Sequence, residues 1–390
     1  MAKRSHATTK RTTHPRGRGR GKTPARARAS KSATKKKPFR LDRIVIDGFK
    51  SIQHADIKLT NLNILIGANG AGKSNFLGCL ELLGHISSSG EQYFNYIRAR
   101  GGGDAFLYRG ARETRVCGIT LYGAVIQRIS LRNMAGDDLL PSVGIWREPA
   151  EPPFKGARIF TRDFSRIFNH INKEFRAIFN RVRILHLNDT SLLSPIKKTA
   201  YTSDDITLNG SGGNVAAILF QLQQAKPWHY NRIVSSIRLA LPFFDDFVLK
   251  PTGDNNIYVL LRWRQKGWNA DLPADALSDG SLRFICLATL LGLDEYPPLI
   301  LIDEPEIGLH PSALSLLAEM LQVAARQTQV IVTTQSPTLV DYFAPEDIIV
   351  VDQKQGASTF RRLNEKDLGG WLDEYSLGEL WEKNIFGGRP

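Results

Sequence analysis

The feature that most constrains the fold is a short apolar run that leads into a glycine-rich turn. Residues 62–66 have the continuous apolar pattern of a buried strand, and residues 75–83 are apolar at helical spacing. Between them stands GANGAGKS at residues 67–74. A strand, then G-x-x-x-x-G-K-S, then a helix is the context that identifies a phosphate-binding P-loop. The sequence therefore predicts an α/β fold of the P-loop NTPase class.

The residue types of this loop suit a nucleotide. Glycines let backbone N–H groups approach phosphate oxygens, and the helix that follows adds a favourable partial positive charge. We predict that Lys73 reaches the β- and γ-phosphates and that the Ser74 hydroxyl binds Mg²⁺. The nucleotide contacts predicted in and after the loop are Asn69, Gly70, Ala71, Gly72, Lys73, Ser74 and Asn75.

A pair of acids follows a second buried strand. Residues 299–302 (Leu-Ile-Leu-Ile) predict that strand, and Asp303 and Glu304 come at its carboxyl end. Asp303 in this position predicts a Mg²⁺ ligand, the Walker B arrangement. Glu304 would orient or deprotonate the attacking water, a role that needs a carboxylate near the metal but not on it. Taken alone, the pair could equally be two solvated acids, but the P-loop favours the metal site.

Two further segments have compatible patterns. Residues 277–281 (LSDGS) lead into an apolar helix, which places Ser278 and Gly280 at a helix N-terminus, a position that favours phosphate. After the acids, residues 308–311 (GLHP) predict a turn and the start of a helix. Residues 329–333 then predict a strand that ends in TQSP at residues 334–337.

With the Phe49-Lys50-Ser51 turn ahead of the P-loop, these motifs resemble the ABC-type ATPase heads of the SMC and RecF group. The closest likeness is to compact OLD-type prokaryotic ATPases of the AAA family that lack a fused nuclease domain. The likeness covers residues 39–90 and 250–390 well and the middle weakly. It implies that the nucleotide is ATP, bound with Mg²⁺ and hydrolysed to ADP and phosphate, and that Lys50 and Ser51 also contact it.

The resemblance also implies a homodimer or a higher oligomer. Each ATP would be held between the P-loop of one subunit and the signature residues 277–281 of the other, where Ser278 and the Gly280 backbone would bind the γ-phosphate. Lys73, Glu304 and Gln335 would then be the catalytic residues. Gln335 stands where many such heads carry His, and because Gln cannot carry a proton, turnover should be slow.

Some positions depart from the pattern or leave it open. Asp279 and Ser281 differ from the signature of transporter-type heads and favour the RecF-like branch. A Q-loop glutamine has no clear position, and Gln92 and Gln127 are its candidates, neither in the expected context.

The charge of the chain is concentrated in its first residues. The formal net charge is +14, and residues 1–37 hold 14 Lys or Arg and no acid, so the remainder is neutral. Such a segment has too few apolar residues to fold alone, and we predict a disordered basic tail over residues 1–38. A tail that binds DNA through its phosphates is the preferred interpretation. A solubilising extension, a misassigned start and an organelle transit peptide remain open.

The rest of the chain divides into three predicted parts. Residues 39–135 form the N-terminal ATPase part, with antiparallel strands at 106–108, 116–121 and 125–131; residues 136–250 form a mostly helical insert; and residues 251–390 complete the ATPase lobe. In the insert, the apolar spacing predicts helices over 159–182, 214–224 and 230–241. The first could pack on its own domain or contact DNA or a partner protein. The aromatic residues of 368–388 could likewise pack in the head or dock a partner.

The remaining features concern location and partners. No apolar run approaches the length of a membrane helix, and the three cysteines are far apart, so we expect a cytoplasmic protein without disulfides. No nuclease motif is evident, and the resemblance implies a separately encoded effector, a nuclease or a toxin. The leading hypothesis is an ATP-driven switch on DNA in genome maintenance or anti-phage defence. The alternative is a slow ATPase scaffold that holds an effector inactive until it is triggered.

Overall fold

The computed structural model describes residues 40–87, 89–109, 116–123, 126–134, 138–146, 173–179, 182, 184–187, 189, 191, 193–204, 207–253 and 255–389. The chain divides into two units, residues 1–37 and 38–390, and every described residue belongs to the second. The tail and most of the helix predicted over 159–182 therefore lie outside the described residues.

Short strands alternate with helices along the described chain. The strands are β1 (Arg43–Phe49), β2 (Ile52–Lys58), β3 (Leu62–Ile66), β4 (Val116–Tyr122), β5 (Ile126–Met134), β6 (Asp138–Trp146), β7 (Ile184–Leu185), β8 (Ala200–Tyr201), β9 (Phe244–Phe247), β10 (Tyr258–Val259), β11 (Arg262–Gln265), β12 (Asp271–Pro273), β13 (Leu299–Asp303), β14 (Gln329–Thr334), β15 (Ile348–Lys354) and β16 (Ala357–Arg362). The α-helices are α1 (Lys73–Ile86), α2 (Gly90–Ala99), α3 (Lys173–Phe179), α4 (Val215–Ala225), α5 (Pro227–Ala240), α6 (Asp279–Leu291), α7 (Pro311–Ala325), α8 (Pro337–Val340) and α9 (Leu377–Glu382).

The central sheet carries the predicted motifs. Within the described residues it has six strands in the order β16-β15-β3-β14-β13-β7, parallel except for the edge strand β16. All residues of β3 and β14 are buried, as expected for parallel strands that are covered on both faces. Because parallel strands end at the same edge, the segments that follow β3, β13 and β14 meet there. The strands predicted at 62–66, 299–302 and 329–333 are confirmed.

The second sheet is antiparallel and has the order β2-β1-β4-β5-β6. It confirms the predicted flanking sheet, but the strand predicted at residues 106–108 is wrong. Gly103–Phe106 is a 3₁₀ turn, and only Leu107 makes an isolated bridge, to Phe49. The segment crosses the end of β1, because Lys50 N–H donates to the Phe106 carbonyl and Tyr108 N–H donates to the Gly48 carbonyl.

The stretch predicted as a helical insert contributes to both sheets. β6 pairs with β5 across the boundary placed at residue 135, and β7 pairs with β13. Helices α4 and α5 match the predicted segments 214–224 and 230–241, and α5 begins early because Pro227 suits the first helical position. In the described part of the first predicted helix, α3 buries Phe175, Ile178 and Phe179. This part packs on its own domain.

The two faces of the central sheet belong to two hydrophobic clusters. Ile64 and Ile302 point into the cluster that includes α4 to α7, whereas Leu65 and Leu301 point into the cluster with α1, α3 and the antiparallel sheet. This alternation is the period-2 pattern of a strand buried on both faces. Among the described helices, none is long and apolar enough to cross a membrane.

The aromatic residues near residue 380 have mixed environments. Trp381 is fully buried and Phe386 nearly so, whereas Trp371 is 46% exposed. The buried pair packs in the same cluster as α7 and α8. Core packing therefore explains Trp381 and Phe386 but leaves Trp371 on the surface.

Candidate nucleotide-binding and hydrolysis site

The P-loop joins β3 to α1 through a backbone that only glycine permits at two points. Gly72 has a φ of +114°, and a Cβ on it would lie 2.1 Å from Ser358 Oγ. A Cβ on Gly67 would lie 2.2 Å from the carbonyl oxygen of Val351. Both distances are far below van der Waals contact. Glycine is therefore required at the first and last of the three loop positions, because the loop packs closely against β15 and β16. The middle glycine, Gly70, lies exposed at the tip.

The P-loop lysine is buried in the loop. Lys73 Nζ donates to the carbonyl oxygens of Gly67 at 2.6 Å and Ala68 at 3.0 Å. Burial lowers the pKa of this ammonium, and the nearby carboxylates of Glu304 and Asp303 oppose that shift. A phosphate on the loop would be a stronger acceptor than these neutral carbonyls, because charge-assisted hydrogen bonds are the stronger kind.

Asp303 and Ser74 lie side by side, as the two motifs predicted. Ser74 Oγ is 3.3 and 3.2 Å from the two carboxylate oxygens of Asp303, and the Thr333 hydroxyl donates to the same carboxylate. Mg²⁺ is typically held by one or two protein oxygens together with phosphate oxygens and waters. These two adjacent oxygen donors at the sheet edge fit that ion.

Glu304 and Gln335 are in direct contact. The Gln335 side-chain amide donates to Glu304 Oε1, and the Glu304 N–H donates to the Thr333 carbonyl at 3.1 Å. Glu304 has a φ of +46°, a conformation that costs a non-glycine residue about 1–2 kcal/mol. The sharp turn directs the carboxylate of Glu304 toward the end of β14 and Gln335, which we call the switch residue.

Two residues beside Asp303 and Glu304 were not predicted from the sequence, and Glu306 is the first. Its Oε1 accepts hydrogen bonds from the Thr334 hydroxyl at 2.7 Å and the Gln335 N–H at 2.8 Å. Burial raises the pKa of its carboxyl, and the Gln335 and Thr334 hydrogen bonds oppose that shift. The signal that could have found it is its position as the third acid in the run Asp303-Glu304-Pro305-Glu306.

His186 is the second missed neighbour. Its Nδ1 lies 3.5 Å from Asp303 Oδ2, because the two-residue strand β7 ends beside β13. No motif surrounds His186 in the sequence, so only the pairing of β7 reveals it.

The two Q-loop candidates lie elsewhere. Gln92 is in the first turn of α2, and Gln127 is in β5 of the antiparallel sheet.

The residues of the Phe49-Lys50-Ser51 turn divide between two surroundings. Ser51 Oγ accepts from Asn75 Nδ2 at 2.7 Å and lies 2.7 Å from Ser358 Oγ, so Ser51 and Asn75 flank the loop together. The Lys50 ammonium instead lies 5.2 and 5.7 Å from the ring centres of Phe106 and Phe49. Burial and Arg100 lower its pKa. The structure brings Ser51 to the P-loop and turns the Lys50 side chain into the N-terminal part.

The signature residues form the start of α6 and pack on the turn after β13. Ser278 caps the helix by accepting from the Ser281 N–H at 3.2 Å, and a Cβ on Gly280 would lie 1.9 Å from the Gly308 carbonyl oxygen. Arg283 Nη1 donates to the Ile307 carbonyl at 2.6 Å. Within the part of the chain that is described, no hydrogen bond joins Ser278 or Gly280 to residues 67–75.

Comparisons with known proteins match the chain to AAA-type ATPase domains. A family model described as "AAA domain, putative AbiEii toxin, Type IV TA system" matches residues 136–341, more than half of the chain. A second model, "AAA ATPase domain", matches residues 40–105. No curated protein matches the chain.

Two solved structures share the fold. One is an Smc head bound to the C-winged helix domain of ScpA, with a TM-score of 0.59 and 17% identity, covering 84% of this chain and 99% of that one. The other is an Smc head domain with an extended coiled coil, bound to the C-terminal domain of ScpA derived from Pyrococcus furiosus. It has a TM-score of 0.57 and 15% identity and covers 86% of this chain and 99% of that one. The predicted ABC-type head fold of the SMC kind is confirmed.

Proposed function

Because this chain belongs to the AAA-domain family whose model spans residues 136–341, we propose that it is an ATP-dependent molecular switch that hydrolyses ATP to ADP and phosphate. One observation carries the proposal. The Ser74–Asp303 pair and the Glu304–Gln335 pair meet at the sheet edge that also carries the P-loop.

We assign a step to each residue on the basis of these contacts. Lys73 and the loop N–H groups would hold the β- and γ-phosphates, and Ser74 and Asp303 would hold Mg²⁺, which would supply positive charge near the transferred phosphoryl group. Glu304 orients the attacking water and takes its proton, and Gln335 holds the carboxylate of Glu304 in place. Gln335 cannot carry a proton itself, so turnover is slow.

The dimer is the second part of the proposal. Ser278 caps α6 and is exposed, so this helix start can face the ATP of a second subunit, to which Gly280 would contribute its backbone. ATP then holds two heads together, and hydrolysis releases them. The residues Asp279 and Ser281 support the RecF-like branch of such heads over the transporter type.

DNA is the partner that the sequence favours. The 14 basic residues of the first 37, without an acid, suit a phosphate backbone, and binding through them should weaken steeply with salt. The setting is genome maintenance or anti-phage defence.

A regulatory scaffold is the second candidate. Gln335 favours it, because a site without a titrating switch residue suits slow turnover. The description of the family names a toxin–antitoxin system, which suits a separately encoded effector held inactive by this chain.

The first experiment measures ATP hydrolysis by the wild type and Lys73→Ala, with and without duplex DNA, at low and moderate salt. The DNA switch predicts turnover that DNA stimulates, that Lys73→Ala abolishes, and that loses its DNA response without residues 1–37. Turnover near background that ignores DNA contradicts it and directs the search to a co-purifying effector.

A second experiment separates the two candidates. Glu304→Gln keeps the shape of the site and removes its base, so ATP should trap this variant as a dimer in size-exclusion chromatography if hydrolysis opens the dimer. Single-turnover rates and elution that equal those of the wild type favour the scaffold.

A further inference from the structure

Glu306 lies in the turn after β13 and contacts Gln335 at the end of β14. Its Oε1 accepts two hydrogen bonds from the end of β14, one from the Thr334 hydroxyl and one from the Gln335 N–H. Both hydrogen bonds are short, and their donors belong to consecutive residues. Glu306 therefore holds the backbone at the point where the chain leaves β14.

Gln335 is held at both ends by acids of one turn. Its side-chain amide donates to Glu304, and its backbone N–H donates to Glu306. The side-chain amide of Gln335 can stay on the Glu304 carboxylate only while the backbone of Gln335 is fixed. If that backbone rotates, every atom of the side chain moves with it. The orientation of Glu304 thus depends on Glu306 through Gln335.

We propose that Glu306 is a positioning residue for ATP hydrolysis, which fixes Gln335 so that its amide holds Glu304 in line with the attacking water. This inference rests on the proposed ATPase function. It adds to that function a residue that touches neither nucleotide nor metal in the assigned scheme. Misplacement of a catalytic group by about 1 Å can lower a rate about 100-fold, so the expected effect is large.

The surroundings of Glu306 indicate that its acceptor oxygen, and not its charge, is needed to hold Gln335. Its Oε2 is inaccessible to solvent and has no hydrogen-bond partner among the described residues, so the hydrogen bonds of this carboxylate are those made by Oε1. Among the described residues, no Lys, Arg or His forms an ion pair with this carboxylate. A neutral acceptor of the same shape should therefore replace it, which makes Gln the conservative substitution and Ala the disruptive one.

The test measures kcat and KM for ATP in the full chain, for the wild type, Glu306→Ala and Glu306→Gln. Glu319→Ala, an exposed acid on α7, is the matched control for loss of a carboxylate. We expect Glu306→Ala to lower kcat by about 10- to 100-fold with KM changed less than about threefold. Glu306→Gln should keep a kcat at least about tenfold above that of Glu306→Ala, and Glu319→Ala should match the wild type.

A double-mutant cycle with Gln335→Ala separates positioning from general damage. If Glu306 acts through Gln335, adding Glu306→Ala to Gln335→Ala should lower kcat by less than about twofold. An undiminished loss in the Gln335→Ala background overturns the proposal, and so does a Glu306→Gln as slow as Glu306→Ala. A wild type without Lys73-dependent hydrolysis instead contradicts the proposed function, while an active wild type with an equally active Glu306→Ala contradicts only this inference.

Discussion

Replacing Gly280 by Ala sets two known effects against each other at the start of α6. Gly280 is helical and buried, so Ala suits its backbone and should gain up to about 1 kcal/mol of helix propensity. The added Cβ, however, would lie 1.9 Å from the Gly308 carbonyl oxygen and 2.9 Å from its carbon. Both neighbours are backbone atoms, which cannot rotate away as a side chain would.

The steric effect should exceed the propensity gain. The signature turn and the turn after β13 must separate by about 1 Å or more to restore van der Waals contact, and overpacking of this kind costs about 1–3 kcal/mol. We expect Gly280→Ala to destabilise the fold by about 0–2 kcal/mol after the propensity gain is subtracted. The same shift moves Ser278, so ATP-dependent dimer formation should weaken as well.

Gly78 in α1 offers a matched control. It is also a buried helical glycine, but the nearest atom to a Cβ there is Lys50 Nζ at 3.8 Å, an ordinary contact. Gly78→Ala should therefore stabilise the fold by about 0.5–1 kcal/mol.

Urea unfolding of the nucleotide-free protein measures both variants against the wild type, with the slope m compared to confirm that only the midpoint moves. The two variants should differ in stability by about 0.5–3 kcal/mol, with Gly78→Ala the more stable. A Gly280→Ala protein that is stabilised as much as Gly78→Ala would refute the packing reasoning.

Three further outcomes follow from buried polar groups. Asn63→Ala removes the buried amide whose oxygen accepts from the partly buried Arg362 guanidinium, and it should cost about 2–4 kcal/mol in thermal unfolding. A loss below about 0.5 kcal/mol would contradict this. Trp381→Phe removes the indole N–H that donates to the Gly388 carbonyl and should lower the free energy of unfolding by about 1–2 kcal/mol. Residues 386–389 should then be cleaved faster by a protease, and an unchanged rate of cleavage would argue against this. Burial raises the pKa of Glu306 above its usual 4.5, so the stability from its bound proton is full below about pH 4.5 and is lost as pH rises through the raised value. Urea midpoints from about pH 5 to about pH 8 should therefore fall for the wild type relative to Glu306→Gln, and a rise would show the opposite shift.

The motifs were readable because each depends on a local pattern. The apolar run of β3, the glycines of the P-loop and the Lys73-Ser74 pair lie within a few residues of one another, as do β13 and Asp303. A buried parallel strand needs apolar side chains on both faces, and a phosphate loop needs glycine where a Cβ would collide. Ser74 and Asp303 were each predicted as Mg²⁺ ligands from their motifs, and they meet because β3 and β13 belong to the parallel part of one sheet and end at the same edge.

The error at residues 106–108 had the opposite cause. Phe106 and Tyr108 have strand-like side chains, but their backbones bond to Lys50 and Gly48 across the end of β1. Such contacts join residues more than fifty positions apart, and no local pattern encodes them. Tertiary context overrode propensity there.

The sequence by itself determined the fold class, the P-loop and the acids of β13, because short-range chemistry specifies them. Only the tertiary structure decided that His186 lies against Asp303, that the Lys50 ammonium turns away from the P-loop, and that Glu306 holds Gln335. A two-residue strand such as β7 has too few residues to show a period, and its place is set by pairing with β13. The direction of a side chain likewise depends on neighbours that the chain brings together only when it folds.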